Sequence, residues 1–256
     1  MKFYDLLART YEEIFPVGKE QAAFVAAEAG SKGARVLDIG CGTGAMARAL
    51  WKRGYKLVGI DDNERMIEEA QEKLRTDEYR EAEKHSRNQP QFLVMDMRTI
   101  DEHFVANSFD ALLSLGNTLV HLQSPEEIGL FLKKAGIVLQ PGGRLVVQVL
   151  NYDYILDERI TRLPLIETSG YRFHRNYELP QKEGLVTFRG VLEEKGSGMR
   201  IESVTMLYPL RSWQLKELLE THGFQVQAEY GSYSYGPAGG KRLPYIVTAR
   251  KMRKEN

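Results

Sequence analysis

Three glycines at alternate positions, Gly40, Gly42 and Gly44, lie in the stretch VLDIGCGTGA, residues 36–45. A glycine-rich turn between a strand and a helix lets backbone N–H groups approach a ligand with no Cβ in the way. Such turns cradle nucleotides. Asp61 closes the next apolar run, about 20 residues beyond the loop, where a carboxylate can accept hydrogen bonds from two ribose hydroxyls. A third apolar run ends in Met95-Asp96-Met97. A carboxylate there can take the exocyclic amine of adenine, with Met97 against the ring.

Two nucleotide classes compete for this loop. Gly40-Cys41-Gly42-Thr43-Gly44-Ala45 meets the loose dinucleotide fingerprint, which tolerates alanine at its last position. Three features point elsewhere. Asp38 sits at the strand end, where the dinucleotide fingerprint calls for no acid; it can accept from an amino group or from loop amides. Asp96 and Met97 suit an adenine. A pyrophosphate also wants nearby cations, and the loop supplies none before Arg48. In combination, VLDIGCGTG, Asp61 and Asp96 resemble the class I S-adenosylmethionine-dependent methyltransferases, over about residues 34–150. The resemblance implies S-adenosylmethionine as cofactor and S-adenosylhomocysteine as product. It sets Gly40, Gly42 and Gly44 at the methionine part, Asp61 at the ribose, and Asp96 and Met97 at the adenine. Displacement at a sulfonium calls for no metal and no covalent nucleophile.

The segments LGNTLVHL (115–122) and NYDYIL (151–156), with MLYPL and YIVTARK later, resemble the glycine and glycine/sarcosine N-methyltransferases. This implies that Leu115 lies over the adenosine and that Asn117 acts on the acceptor, a small-molecule amine. In the animal enzymes an arginine precedes Asn-Tyr-Asp-Tyr and grips the substrate carboxylate; here Leu150 stands in its place. Leucine cannot make that bidentate contact, so glycine as acceptor is in question. Arg172, Arg175 and Arg189 are the alternative cations, with Arg175 and Tyr152 assigned to the substrate. Tyrosines crowd the second half of the chain, and aromatic faces attract cations. Tyr11 is expected to close over the cofactor from the N-terminal helix. His121 reads as a packed residue at a helix start. Hydroxyl methylation, nicotinamide-dependent oxidoreduction and cofactor binding without catalysis remain open alternatives.

The elements that must position these residues alternate. Apolar runs at 34–39, 56–61, 91–96, 109–115 and 143–150 read as buried strands. Helical patterns separate them at 45–54, 63–85 and 125–139, the last ended by Pro141-Gly142-Gly143. Residues 1–33 read as helical, stopped by Gly30. This grammar predicts an α/β, Rossmann-like, doubly wound, mostly parallel seven-stranded sheet. After residue 150 the pattern changes. Segments 171–180, 185–194 and 199–210 alternate with period two, so 151–207 reads as an antiparallel substrate-lid insert. The core is then 1–150 plus 208–256, closed by a helix at 212–224 and two antiparallel strands.

Composition narrows the function class. The 256 residues carry 35 Lys+Arg against 35 Asp+Glu, with 43% apolar residues. That balance permits a sizeable core and shows no nucleic-acid or membrane-surface footprint. The tail KMRKEN reads as a solvated terminus. Cys41 is the single cysteine, which excludes an intramolecular disulfide. There is no signal-peptide layout and no apolar run of spanning length. The expectation is a cytoplasmic protein, monomer or homodimer, with no nucleic-acid or membrane partner.

Overall fold

The computed structural model describes residues 3–76, 89–180 and 184–253. Its main sheet has seven strands: β1 (Arg35–Ile39), β2 (Lys56–Asp61), β3 (Gln91–Val94), β4 (Phe109–Ser114), β5 (Leu139–Leu150), β10 (Phe224–Tyr230) and β11 (Pro244–Lys251). Their spatial order is β10-β11-β5-β4-β1-β2-β3. Strands β3, β2, β1, β4 and β5 are parallel, and β11 runs antiparallel to both β5 and β10. The expected architecture is therefore present. Strand order reverses between β1 and β4, so the loops leaving their carboxyl ends diverge there. In open α/β sheets that is where a ligand crevice forms. The loops are 40–44 and 115–117, both singled out by their sequence.

Helices cover both faces of the sheet. Alternate strand residues such as Val36, Leu57 and Leu113 pack with Phe24, Leu50 and Ile67, which belong to α2 (Lys19–Ala29), α3 (Ala45–Trp51) and α4 (Glu64–Leu74). The opposite alternates, Leu37, Ile60 and Leu112, share a cluster with Phe131 and Leu215. A short α5 (Ile100–His103) precedes β4; α6 (Pro125–Val138), α7 (Tyr152–Asp157) and α8 (Ser212–Thr221) follow. In α4 the apolar stripe Met66, Ile67, Ala70 and Leu74 is buried as its spacing predicts. That helix was expected to reach residue 85; residues 77–88 lie outside the described ones.

Two boundaries differ from expectation. The N-terminal helical region is two helices, α1 (Phe3–Ile14) and α2, separated by Phe15 to Gly18. Pro16 disfavours helical geometry at the residue before it and lacks an N–H, so the chain turns there. Helix α6 passes directly into β5 at Leu139, and Pro141-Gly142-Gly143 lie within that strand. The pairing of β4 with β5 jumps from Phe109↔Leu139 to Ala111↔Arg144, so the proline-glycine run is accommodated as an irregularity in the strand.

A second, four-stranded antiparallel sheet comprises β6 (Ile166–Glu167), β7 (Tyr171–Glu178), β8 (Val186–Glu194) and β9 (Arg200–Leu207). Helix α1 joins it to the core. Leu7, Ala8 and Ile14 of α1 share one apolar cluster with Met66 of α4 and with Phe173 and Leu192 of the second sheet. On its core side, the Glu12 carboxylate accepts from Thr43 Oγ1 at 2.8 Å and Lys73 Nζ at 2.8 Å, and it pairs with Arg48. Arg48 is only 3% exposed, so the pair is largely dry on that side.

Burial alone would raise the pKa of Glu12, but the Arg48 charge, with bonds from Lys73 and Thr43, more than reverses this and holds it below the usual glutamate value. A depressed folded-state pKa stabilises the fold above the unfolded value, and that contribution is lost as pH falls through the folded one. Glu12→Gln is expected to cost about 1–3 kcal/mol at pH 7, discounted because the carboxylate is partly exposed. The gap between variant and wild type should close as the pH drops below 4.5. Urea unfolding at pH 7 and pH 4 reads this; a constant gap contradicts it.

Candidate functional site

The loops at the switch point open into one cavity of about 1070 Å³. Helix α1, the carboxyl ends of β1 to β5 and the strands of the second sheet wall it. The site is built from the glycine loop outward. Gly40, Gly42 and Gly44 all adopt positive φ. A Cβ on Gly40 would lie 2.4 Å from Thr118 Cγ2, and one on Gly44 would lie 2.4 Å from the Phe92 ring. These two glycines therefore let the loop pack against the segment after β4 and against β3. Gly44 itself does not line the cavity; Gly40 and Gly42 do, with Tyr11 beside Gly42.

Asp61 ends β2 and ties down the loop. Its Oδ2 accepts the Gly42 N–H at 2.9 Å and its Oδ1 the Asn63 N–H at 3.0 Å. Helix α4 is capped by Asn63, whose side chain accepts from Met66 N at 3.2 Å, so Asp61 is free of that duty. Each carboxylate oxygen has a second lone pair for a ligand. Asp38 is 3% exposed and lines the same floor. No hydrogen-bond donor reaches its carboxylate among the described residues. Burial, and then the Asp61 charge, push its pKa up to about 7. Burial first, with Asp61, Cys41 and Asp38 adding to it, likewise pushes the Tyr11 phenol to about 12, so it stays a neutral donor.

At the end of β3, Met95, Asp96 and Met97 line the wall. The Asp96 carboxylate caps the turn Met97–Thr99, accepting from Arg98 N at 2.8 Å, and pairs with the Arg98 guanidinium at 2.6 Å. That pair holds its pKa below the usual aspartate value despite some opposing burial.

The loop after β4 contains Leu115, Gly116 and Asn117. Leu115 is buried at the cavity wall. Gly116 and Asn117 both have positive φ, which makes a tight turn. Gln148 of β5 holds it: Oε1 accepts Gly116 N–H at 2.8 Å, and the Gln148 carbonyl accepts Asn117 N–H at 3.1 Å. Asn117 then bonds twice more. Its Oδ1 accepts Leu150 N–H at 2.9 Å, and its Nδ2 donates to the Tyr152 hydroxyl at 3.2 Å.

Tyr152, expected at the substrate, is instead only 1% exposed and lies behind the wall. Its hydroxyl lies between Asn117 and Tyr177, so it positions residues that do face the cavity. Arg175 lines the cavity, whereas Arg172 and Arg189 are committed to Glu167 and Glu193, and to Glu178 and Glu202. His121 is exposed at the rim.

Several lining residues were missed in the sequence. Gln148 had a signal: a glutamine inside the apolar run VVQVL. Phe173 and Tyr177 fall by period-two spacing on the same face of β7 as Arg175, which the sequence did assign to the substrate, and Phe188 pairs with Tyr177 across the sheet. Their alternation was legible, but which face met the cavity was not.

A family model described as a methyltransferase domain matches residues 36–143, the span that carries the glycine loop and the carboxyl ends of β1 to β4. The glycine/sarcosine N-methyltransferase of Aphanothece halophytica is 29% identical over 199 residues, 78% of this chain and 69% of that one. Residues 36–143 thus carry a methyltransferase domain, and the chain is similar to glycine/sarcosine N-methyltransferases beyond it. Other similar sequences match this methyltransferase over less of its length. Glycine N-methyltransferase of Mus musculus is 31% identical over 132 residues, 48% of this chain and 42% of that one. Ubiquinone biosynthesis O-methyltransferase of Bradyrhizobium diazoefficiens is 32% identical over 124 residues, again 48% and 42%. The chain thus spans less than half the length of these two relatives. Among solved structures, the CcbJ methyltransferase from Streptomyces caelestis superimposes with a TM-score of 0.79 at 20% identity, covering 98% of this chain and 99% of that one. That likeness concerns the fold. Among the described residues, no helix of the methyltransferase is long and apolar enough to cross a membrane.

Proposed function

We propose that the chain transfers a methyl group from S-adenosylmethionine to the amine of a small molecule, releasing S-adenosylhomocysteine. The observation that carries this reading is the acidic floor of the cavity. Among the described residues, Asp38 and Asp61 face it with no ion pair, and no donor reaches the Asp38 carboxylate. Such a floor suits a cofactor bearing an ammonium and a sulfonium, and repels a pyrophosphate. When bound, S-adenosylmethionine supplies a methyl group already activated for in-line displacement. The residues then have to align the acceptor and exclude water.

Asp38 accepts from the ammonium, and Gly40 and Gly42 give the methionine part its close approach. Gly44, expected to touch the cofactor, serves by seating the loop on Phe92. Asp61 takes the ribose hydroxyls. Asp96 takes the adenine amine, between Met97 and Leu115. Tyr11 closes the cavity from α1. Asn117 retains one amide hydrogen after its bonds to Leu150 and Tyr152, and directs it at the acceptor. The insert 151–207 acts as the substrate lid, and no metal takes part. The name of the Aphanothece halophytica relative supports nitrogen as the acceptor atom. The O-methyltransferase relative supports a second reading, a hydroxyl acceptor, which the atom methylated in the product distinguishes.

Calorimetric titration with S-adenosylmethionine, S-adenosylhomocysteine and NADH tests the cofactor. Micromolar binding of an adenosyl compound without NADH is expected; NADH binding alone overturns the reading. The pH dependence tests Asp38. If its ionised form holds the ammonium, binding draws the proton off a group that titrates near 7. Affinity should then rise about tenfold from pH 6 to pH 8, and Asp38→Asn should flatten the profile. A wild-type profile already flat removes the contact. Asn117→Ala should lower turnover by more than it lowers cofactor affinity. Equal losses would move Asn117 into the cofactor site.

A further inference from the structure

Four arginines lie on the strands of the second sheet, and three of them have acid partners: Arg172, Arg189 and Arg200. Arg175, the one that lines the cavity, has no ion pair among the described residues. Its guanidinium donates to the Pro164 carbonyl at 2.8 Å, while Nε is buried with no acceptor. Burial pulls its pKa down, the sign of a charge short of water and counter-ion. A half-buried guanidinium with no counter-ion and one N–H short of an acceptor costs free energy that an anionic ligand returns.

The surroundings of Arg175 leave room for that ligand. Across the sheet it pairs with Gly190, which pairs in turn with Ser203. A Cβ on Gly190 would meet the Phe173 ring at 3.0 Å and the Phe188 ring at 3.4 Å, so these two rings cover the sheet beside Arg175 and give its neighbourhood an aromatic wall. The next row is Tyr177, Phe188 and Thr205. The rings of Tyr177 and Phe188 lie 5.5 Å apart at the cavity wall, and Leu163 and Leu207 also line it. On the core side Leu150 lines the cavity and gives an apolar wall. The volume of about 1070 Å³ is at the top of the range, about 300–1,000 Å³, that encloses a drug-sized ligand. A nucleoside cofactor and a second molecule of moderate size fit together.

We propose that the methyl acceptor is an acid with an aromatic body, larger than glycine, whose carboxylate binds Arg175 while its ring lies on Tyr177 and Phe188. This rests on the methyltransferase reading above. The acids of the cavity sit on the cofactor side, and Arg175 sits across from them on the second sheet. The carboxylate end of the acceptor is thereby drawn away from the cofactor, and its amine is left facing the methyl group.

The test is equilibrium binding to the full chain saturated with S-adenosylhomocysteine. The probes are phenylacetate, 3-phenylpropanoate and L-phenylalanine, each against its uncharged amide, with glycine as the small acid. At least one aryl acid is expected to bind about tenfold or more tighter than its amide and than glycine, the range of a charge-assisted hydrogen bond. Arg175→Gln should erase the preference, while Arg172→Gln, on a residue already paired with acids, should keep it. Saturation with S-adenosylhomocysteine in each variant shows that the cofactor half is intact. If no acid is preferred over its amide in the wild type, or glycine binds as tightly, the acceptor inference is overturned whatever the variants do. A preference that survives Arg175→Gln overturns the role of that residue. Failure of the wild type to bind S-adenosylhomocysteine at all would overturn the methyltransferase reading, and this inference with it.

Discussion

Replacing Asp61 by alanine is expected to weaken S-adenosylhomocysteine binding by about 1–3 kcal/mol, roughly five- to 150-fold, through loss of charged hydrogen bonds. Two effects act together. On the proposed reading the ribose hydroxyls lose their acceptor, and the glycine loop loses the bond from Gly42 N–H to Asp61 Oδ2. The fold should survive. Burial raises the pKa of Asp61, against the bonds from Asn63 and Gly42, so the carboxylate is itself held at a cost. Removing it returns part of what the two orphaned amides lose. Calorimetry gives the affinity and urea unfolding the stability of the same preparation. Unchanged affinity with an intact fold would take Asp61 out of the ribose site.

The largest effect on stability is expected at Gly44. Valine there must adopt φ near +75° and place its Cβ about 2.4 Å from the Phe92 ring. The left-handed backbone costs about 1–2 kcal/mol, and forcing extra atoms into a packed contact costs about 1–3 kcal/mol. Gly44→Val should lose about 2–5 kcal/mol, a fall in melting temperature of about 5–15 °C for a chain of this length. Gly116→Ala separates the two contributions. Gly116 also has positive φ, but a Cβ there meets nothing within 4 Å, so only the backbone cost remains. Equal melting shifts for the two variants would mean that Phe92 moves aside freely.

The contrast between these residues shows what sequence alone could reveal of the site. Asp61 was legible because its role is set by local order: a strand ends, and its last carboxylate stands beside the neighbouring glycine loop. The same holds for Asp38, Asp96 and Met97, all at strand ends on the cavity wall. The structural reason for Gly44 was not legible. It depends on Phe92, which is distant in sequence and reaches the loop only because β3 pairs with β2. Tyr152 carried the right motif but the wrong position. The turn at Asn117 and the pairing of β5 with β11 bury it, and its hydroxyl serves Asn117 instead.

By itself the sequence determined the sheet, its helices and the strand-end residues that wall one half of the cavity. Apolar runs, helical periodicity and strand-end acids are short-range signals, and parallel strands place their carboxyl ends together whatever the loops contain. Only the tertiary structure decided the half walled by the second sheet. Period-two alternation in β7 defines two faces but does not say which one closes on the cavity. That choice came from α1, whose Leu7, Ala8 and Ile14 pack against Phe173 and Leu192. Docking the second sheet by that apolar face turns Arg175 and Tyr177 inward. It leaves the paired arginines, Arg172 and Arg189, partly exposed. Long-range packing, which no local pattern encodes, is what separates Arg175, on the cavity wall, from its neighbours on the second sheet.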